Sequence, residues 1–157
     1  MLFRSWVSDA GDVNGDGLGD WAVGGWNYDN GQTDEGQVWV FHGSASSLAS
    51  ATAAWTGQGD QTSAVYGHGI GSAGDVNADG YDDFLVGAGY YDNGQVDEGR
   101  GFLYLGSASG LDPSAAWTVE SNQVSALMSH QVSGIGDCDG DGFDDFLVGA
   151  KIGRAHV

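Results

Sequence analysis

Apolar residues in this chain come in short runs separated by polar stretches dense in glycine, aspartate and asparagine, and no stretch keeps a helical period. Residues 83–88 (DFLVGA) form an apolar run bounded by turn signals, the pattern of a strand buried on both faces. Residues 21–25 (WAVGG) and 146–150 (FLVGA) match it. Residues 37–41 (QVWVF) and 100–105 (RGFLYL) predict a second kind of strand, rich in aromatic and β-branched side chains. The small, glycine-rich stretch 69–75 predicts a strand where backbones crowd together, and a further short strand is expected around Trp55 and Trp117. Between the second and third strands, Asn30-Gly31 and Asn93-Gly94 predict tight hairpins built on positive φ.

The pattern repeats. Residues 12–20 (DVNGDGLGD) recur as 75–83 (DVNADGYDD) and as 137–145 (DCDGDGFDD), at spacings of 63 and 62. Residues 28–36 (YDNGQTDEG) return at 91–99 (YDNGQVDEG), again 63 further on. Four antiparallel strands per unit describe a propeller blade. The predicted fold is therefore all-β, a partial β-propeller of four-stranded antiparallel blades. A partial repeat is expected over 6–57, a complete one over 58–120 and a second partial one over 121–151. Residues 1–5 and 152–157 have none of the aspartate that fills the rest and hold two of the four basic residues, Arg4 and Arg154, with Lys151 adjoining them. They read as a sequencing or cloning artefact outside the fold, which makes the remainder an internal piece of a longer protein. Two and a half blades do not close a ring, so Trp21, Val38, Phe84, Phe102 and Phe146 are expected to face partly missing neighbours and the chain to be marginally stable.

Charge narrows the function. There are 22 acidic residues against 4 basic ones, a net charge of −18, which argues against binding nucleic acid or docking on anionic membranes. The hydrophobic fraction of 41% is too high for a disordered acidic tail. No apolar run reaches the roughly 18 residues that span a bilayer. The single cysteine excludes an intrachain disulfide framework and a cysteine-based zinc cluster. More than half of the acids lie in the three repeated loops, against a general adaptation to salt.

Those loops carry the candidate chemistry. The spacing Asp-x-[Asn/Asp]-x-Asp-Gly-x-x-Asp sets side-chain oxygens at positions 1, 3, 5 and 9, with a backbone carbonyl available at position 7. Ca²⁺ takes 6–8 such oxygens, and Mg²⁺ demands a stricter octahedron. Glycine at position 6 (Gly17, Gly80, Gly142) permits the sharp reversal. The position-12 glutamate of a helical calcium loop is missing, so Asp20, Asp83 and Asp145 are expected to close the sites. Three or four clustered carboxylates with no cation would repel one another.

With these loops, Tyr66-Gly67 and the Val-Gly-Ala that ends the second strand, the chain resembles FG-GAP repeats, which build the seven-bladed propeller of integrin α chains and occur in many bacterial surface proteins. The signature is incomplete: Phe-Gly is replaced by Tyr66-Gly67 and Met128-Ser129, and the proline of Gly-Ala-Pro is absent. The resemblance implies a Ca²⁺ loop between the first two strands of each blade. Its ligands map onto Asp12, Asn14, Asp16, the Leu18 carbonyl and Asp20. They map equally onto Asp75, Asn77, Asp79, the Tyr81 carbonyl and Asp83, and onto Asp137, Asp139, Asp141, the Phe143 carbonyl and Asp145. Ala78 departs from glycine at position 4.

Other candidates are weaker. The block holding Asp29, Asp34 and Glu35 (with Asp92, Asp97 and Glu98) reads as a polar hairpin tip. His68 and His130 are repeat positions with a structural reading, and Cys138 points off the metal. No Gly-x-Ser-x-Gly elbow or phosphate loop is present, and no catalytic site is expected. The expected function is a Ca²⁺-binding propeller module of a secreted or cell-surface protein that holds a protein or glycan ligand on a propeller face. The alternative is an accessory propeller of an extracellular enzyme.

Overall fold

The computed structural model describes residues 5–45 and 52–151, so the sequence readings at 1–4 and 152–157 lie outside the described residues. Ten strands and no helix are found among them. The first sheet is β1 (Trp6–Gly11), β2 (Asp20–Gly25), β3 (Gln37–Phe41) and β4 (Trp55–Gln58), and the second is β5 (Tyr66–Gly74), β6 (Asp83–Ala88), β7 (Arg100–Tyr104) and β8 (Trp117–Glu120). Each runs in chain order with every neighbour antiparallel. A third sheet holds β9 (Val132–Gly136) and β10 (Asp145–Val148). These are open propeller-type blades, and the first strands β1, β5 and β9 pack side by side.

The core lies between blades rather than within one. Val38, Val40 and Ala22 of the first sheet cluster with Tyr66, Ile70, Phe84 and Val86 of the second. All six residues of β6 are buried, as its unbroken apolar run demands, whereas β10 meets solvent with Leu147 60% exposed. The Tyr66 hydroxyl donates to that of Tyr104 at 2.8 Å inside this core.

Blades touch through backbone. A Cβ on Gly24 would strike the Gly67 carbonyl of the next blade, and one on Gly87 the Ser129 carbonyl. The glycine that opens the degenerate Gly-Ala-Pro signature is thus a point of close approach. Gly67, at φ +85°, answers to Ser129 one repeat later, which holds φ +63° despite its side chain and donates its hydroxyl to the Arg100 carbonyl.

The β2–β3 and β6–β7 connections are not the tight hairpins that Asn30-Gly31 and Asn93-Gly94 suggest. Gly31 and Gly94 take positive φ but neither asparagine does, and the connections run over 26–36 and 89–99. The reason is a buried carboxylate. Glu35 Oε1 accepts from the amides of Asn30 and Gln32 at 2.6 and 3.2 Å, and Glu98 Oε1 accepts from Asn93 and Gln95 at 2.6 and 3.4 Å. The loop curls around that oxygen, and its outer backbone then pairs with the lead-in to the following blade. Ser63, Val65 and Tyr66 donate to the carbonyls of Thr33, Asp34 and Glu35, and Ser125, Leu127 and Met128 repeat the set on Val96, Asp97 and Glu98. Val65 and Leu127 hold φ of +50° and +47° to do so, a conformation costly for such side chains.

Because the atom facing Gly87 is backbone of another blade, Gly87→Ala is expected to lower stability by about 2 kcal/mol or more. Urea unfolding followed by tryptophan fluorescence measures it, with Gly80→Ala, which has open space but positive φ, as the comparison.

Candidate metal centre

The three aspartate loops join β1 to β2, β5 to β6 and β9 to β10, and each follows a bulge at a positive-φ glycine: Gly11, Gly74 and Gly136. Their geometry is the same three times over. The position-1 carboxylate takes the amides of positions 5 and 6: Asp12 from Asp16 and Gly17 at 3.0 and 2.8 Å, Asp75 from Asp79 and Gly80 at 3.0 and 2.7 Å, Asp137 from Asp141 and Gly142 at 3.1 and 3.0 Å. The side-chain oxygen of Asn14, Asn77 or Asp139 also accepts the position-5 amide. Asp16, Asp79 and Asp141 in turn take the amides of Leu18, Tyr81 and Phe143. Positions 4 and 6 both need the left-handed region, at Gly15, Ala78 and Gly140 and at Gly17, Gly80 and Gly142.

Position 9 is the anchor. Asp20 and Asp83 are buried, and each spans two strands. One oxygen accepts from Val13 or Val76 in its own loop, and the other from Gly43 or Gly106 beyond the third strand, at 2.7–3.0 Å. Asp145 keeps the first bond, from Cys138 at 3.0 Å. Each bonded oxygen retains a second lone pair, so these bonds orient the carboxylate without exhausting it. Burial raises the pKa of Asp83 to about 6 against the pull of its two amide donors, with Asp79 and Asp75 adding repulsion. Burial raises Asp20 as well. Asp137 moves the other way, lowered chiefly by the amides of Gly142 and Gly140.

The donor set fits a hard cation. Asp137, Asp139 and Asp145 bring one carboxylate oxygen each within 4.8 Å of one another. At the middle position the first two loops carry the amide oxygens of Asn14 and Asn77 instead. Every donor is oxygen, the chemistry of Ca²⁺ rather than of zinc. The Cys138 thiol, exposed, sits 3.6 Å from the Ile135 carbonyl.

Sequence reasoning passed over position 8. Asp82 Oδ2 accepts the Asp12 amide of the preceding blade at 2.7 Å, and Asp144 Oδ2 accepts that of Asp75 at 3.0 Å. The one signal available was that aspartate holds this position in the second and third loops where Gly19 stands in the first.

A cleft of about 560 Å³ lies away from the loops, among Trp6, Ile70, Val132 and Leu147. It is floored by His68 and His130, with ring centroids 3.7 Å apart and the edges of Trp26 and Tyr90 against them. Burial, then His68, then Lys151 lowers the His130 pKa, which favours the neutral ring.

Repeated four-stranded blades with an aspartate loop between the first two strands define a propeller-type repeat protein. Residues 69–104 match the FG-GAP repeat family. The chain is 41% identical over 101 residues to integrin alpha-PS3 of Drosophila melanogaster, covering 60% of this chain and 9% of that protein. It is 28% identical over 151 residues to integrin alpha-4 of Xenopus laevis, covering 94% and 14%, and 33% identical over 153 residues to integrin alpha-PS2 of Drosophila melanogaster, covering 88% and 11%. The chain carries an FG-GAP repeat and is integrin α-like over most of its length, and it spans about a tenth of the length of these relatives.

Two outcomes follow from the geometry. Ala78 pays for a left-handed conformation that Gly15 and Gly140 adopt freely, so Ala78→Gly is expected to raise stability by up to about 1 kcal/mol, read from the urea midpoint. Acidification acts through His130. Its folded pKa lies below the unfolded value of about 6.5, so the unfolded chain takes the proton first as pH falls. The contribution of His130 is full above pH 6.5 and declines below it, while Asp83 and Asp20, whose folded pKa values are raised, contribute in the opposite direction as pH falls. Between pH 7.5 and 5.5 the thermal midpoint of His130→Gln should therefore rise relative to that of the parent chain measured at the same pH.

Proposed function

We propose that this chain is a calcium-binding propeller module of a secreted or cell-surface protein, non-enzymatic, which serves adhesion or ligand binding. The observation that carries the reading is the threefold recurrence of one loop architecture whose oxygens are already gathered by backbone amides. In this reading Asp12, Asn14, Asp16, Asp20 and the Leu18 carbonyl hold one Ca²⁺. Asp75, Asn77, Asp79, Asp83 and the Tyr81 carbonyl hold a second. Asp137, Asp139, Asp141, Asp145 and the Phe143 carbonyl hold a third. The cation neutralises carboxylates that would otherwise repel, and it relieves the burial that raises Asp83 and Asp20.

The similarity to integrin α chains supports the surface setting and a protein or glycan ligand held on a propeller face. Ca²⁺ is plentiful outside cells, and extracellular modules work with Kd values of roughly 10⁻⁴–10⁻³ M. The net charge of −18 speaks against nucleic acid as a partner. No helix is long and apolar enough to cross a membrane among the described residues.

Thermal unfolding with EGTA, with Mg²⁺ and with millimolar Ca²⁺ tests the reading. A ligand that binds only the folded state stabilises it by about 2.7 kcal/mol at a hundredfold excess over Kd. A Ca²⁺-selective rise in the midpoint is expected, lost in the combined Asp16→Ala, Asp79→Ala, Asp141→Ala variant. A cooperative transition indifferent to both metals overturns the calcium assignment.

A further inference from the structure

We propose that Asp82 and Asp144 are positioning residues that couple each cation loop to the one in the next blade, so that neighbouring loops fill cooperatively; the inference rests on the calcium reading of the loops. The contact is reciprocal and occurs twice. Asp82 accepts the Asp12 amide through Oδ2 at 2.7 Å and returns its own amide to the Asp12 carbonyl at 3.1 Å. Asp144 treats Asp75 in the same way, at 3.0 and 3.1 Å.

The chain makes room for this clasp. Gly11 and Gly74, at φ +80° and +75°, sit where a Cβ would overlap the Asp82 and Asp144 carboxylates. The glycine at each bulge therefore answers to a side chain in another blade. Gly136 is the third such glycine, and its would-be Cβ meets nothing within 4 Å.

Position makes the clasp a link between sites. Asp82 lies between Tyr81 and Asp83, two proposed ligands of the second loop, while the residue it grips is the first ligand of the first loop. Ordering 81 and 83 around a cation orders 82, and with it the backbone of Asp12. Thermodynamic reciprocity requires the converse. A second contact strengthens the first pair: the Tyr81 ring lies against Gly15, its Cε1 2.6 Å from where a Cβ would stand. In the next pair Ala78 replaces that glycine and Phe143 is 45% exposed. Coupling is therefore stronger between the first and second loops than between the second and third. Gly19 at position 8 gives the first loop no carboxylate to extend the series backward.

Calcium titration of the whole chain by calorimetry, with amide exchange in EGTA, tests the proposal. The parent is expected to bind with a Hill coefficient above about 1.5, below the ceiling of three set by the number of sites. Asp82→Gly, which copies the first loop's own residue, should bring it toward 1 with stoichiometry unchanged. Asp82→Asn keeps an acceptor and should retain the steepness. In EGTA the Asp12 amide should exchange slowly in the parent and at least tenfold faster in Asp82→Gly, and Asp75 should respond likewise to Asp144→Gly. Independent sites in the parent, or undiminished steepness in Asp82→Gly, overturn the coupling while leaving the calcium reading intact. No Ca²⁺ binding by a parent chain whose Asp12 amide is protected overturns the calcium reading and the coupling with it.

Discussion

Carboxylates that accept backbone amides hold this chain in shape. Each loop is wound on the position-1 aspartate, pinned by the position-9 aspartate, and tied to the preceding blade by the position-8 aspartate where one exists. The β2–β3 and β6–β7 connections wind on Glu35 and Glu98 by the same means. A fold of short strands and long connections has many amides outside its ladders, and buried amides demand partners. A carboxylate supplies up to four acceptor sites on a short stem. The net charge of −18 thus reflects, in good part, how the connections are built.

The same economy explains why the blades stand so close. A propeller interface is a stack of sheets, and these sheets meet through carbonyls directed at glycines: Gly67 at Gly24, Ser129 at Gly87. Side chains fill the space around those contacts, Tyr66 and Phe84 above all. Since the lead-ins to the second and third sheets are hydrogen-bonded to the β2–β3 and β6–β7 loops of the blades before them, each of these sheets has its position set by its predecessor. The left-handed Val65 and Leu127 store part of the cost of that joint, which persists because three hydrogen bonds on each side over-determine it.

Much of this was legible in the sequence. Period-63 repetition pointed to repeated four-stranded sheets, and the apolar runs located their second and third strands to within a residue or two, because burial between neighbouring sheets leaves a strong compositional mark. The hairpin at Asn30-Gly31 was misread since a local turn signal carries no information about a buried glutamate five residues on, nor about backbone pairing with another blade. Position 8 was invisible for a related reason. An aspartate beside a ligand looks like another ligand, and only the fold reveals that Asp82 turns toward a different loop. The cost of Ala78 needed the φ value, since alanine is unremarkable in every conformation but the left-handed one.

The loops raise one further physical point. Like charges gathered this closely would normally spring apart, yet the structure holds Asp137, Asp139 and Asp145 with oxygens within 4.8 Å. Amide dipoles supply the counter-charge, and the lowered pKa of Asp137, set by the amides of Gly142 and Gly140, is their signature. Position 9 receives no such surplus: burial outweighs its two amides, and Asp83 is raised. Repulsion and desolvation are thereby concentrated on the one ligand that also anchors the strand beyond. An ion in the loop would act where the folded chain is least satisfied, and the gain would pass into the sheet through the bonds from Asp20 to Gly43 and from Asp83 to Gly106.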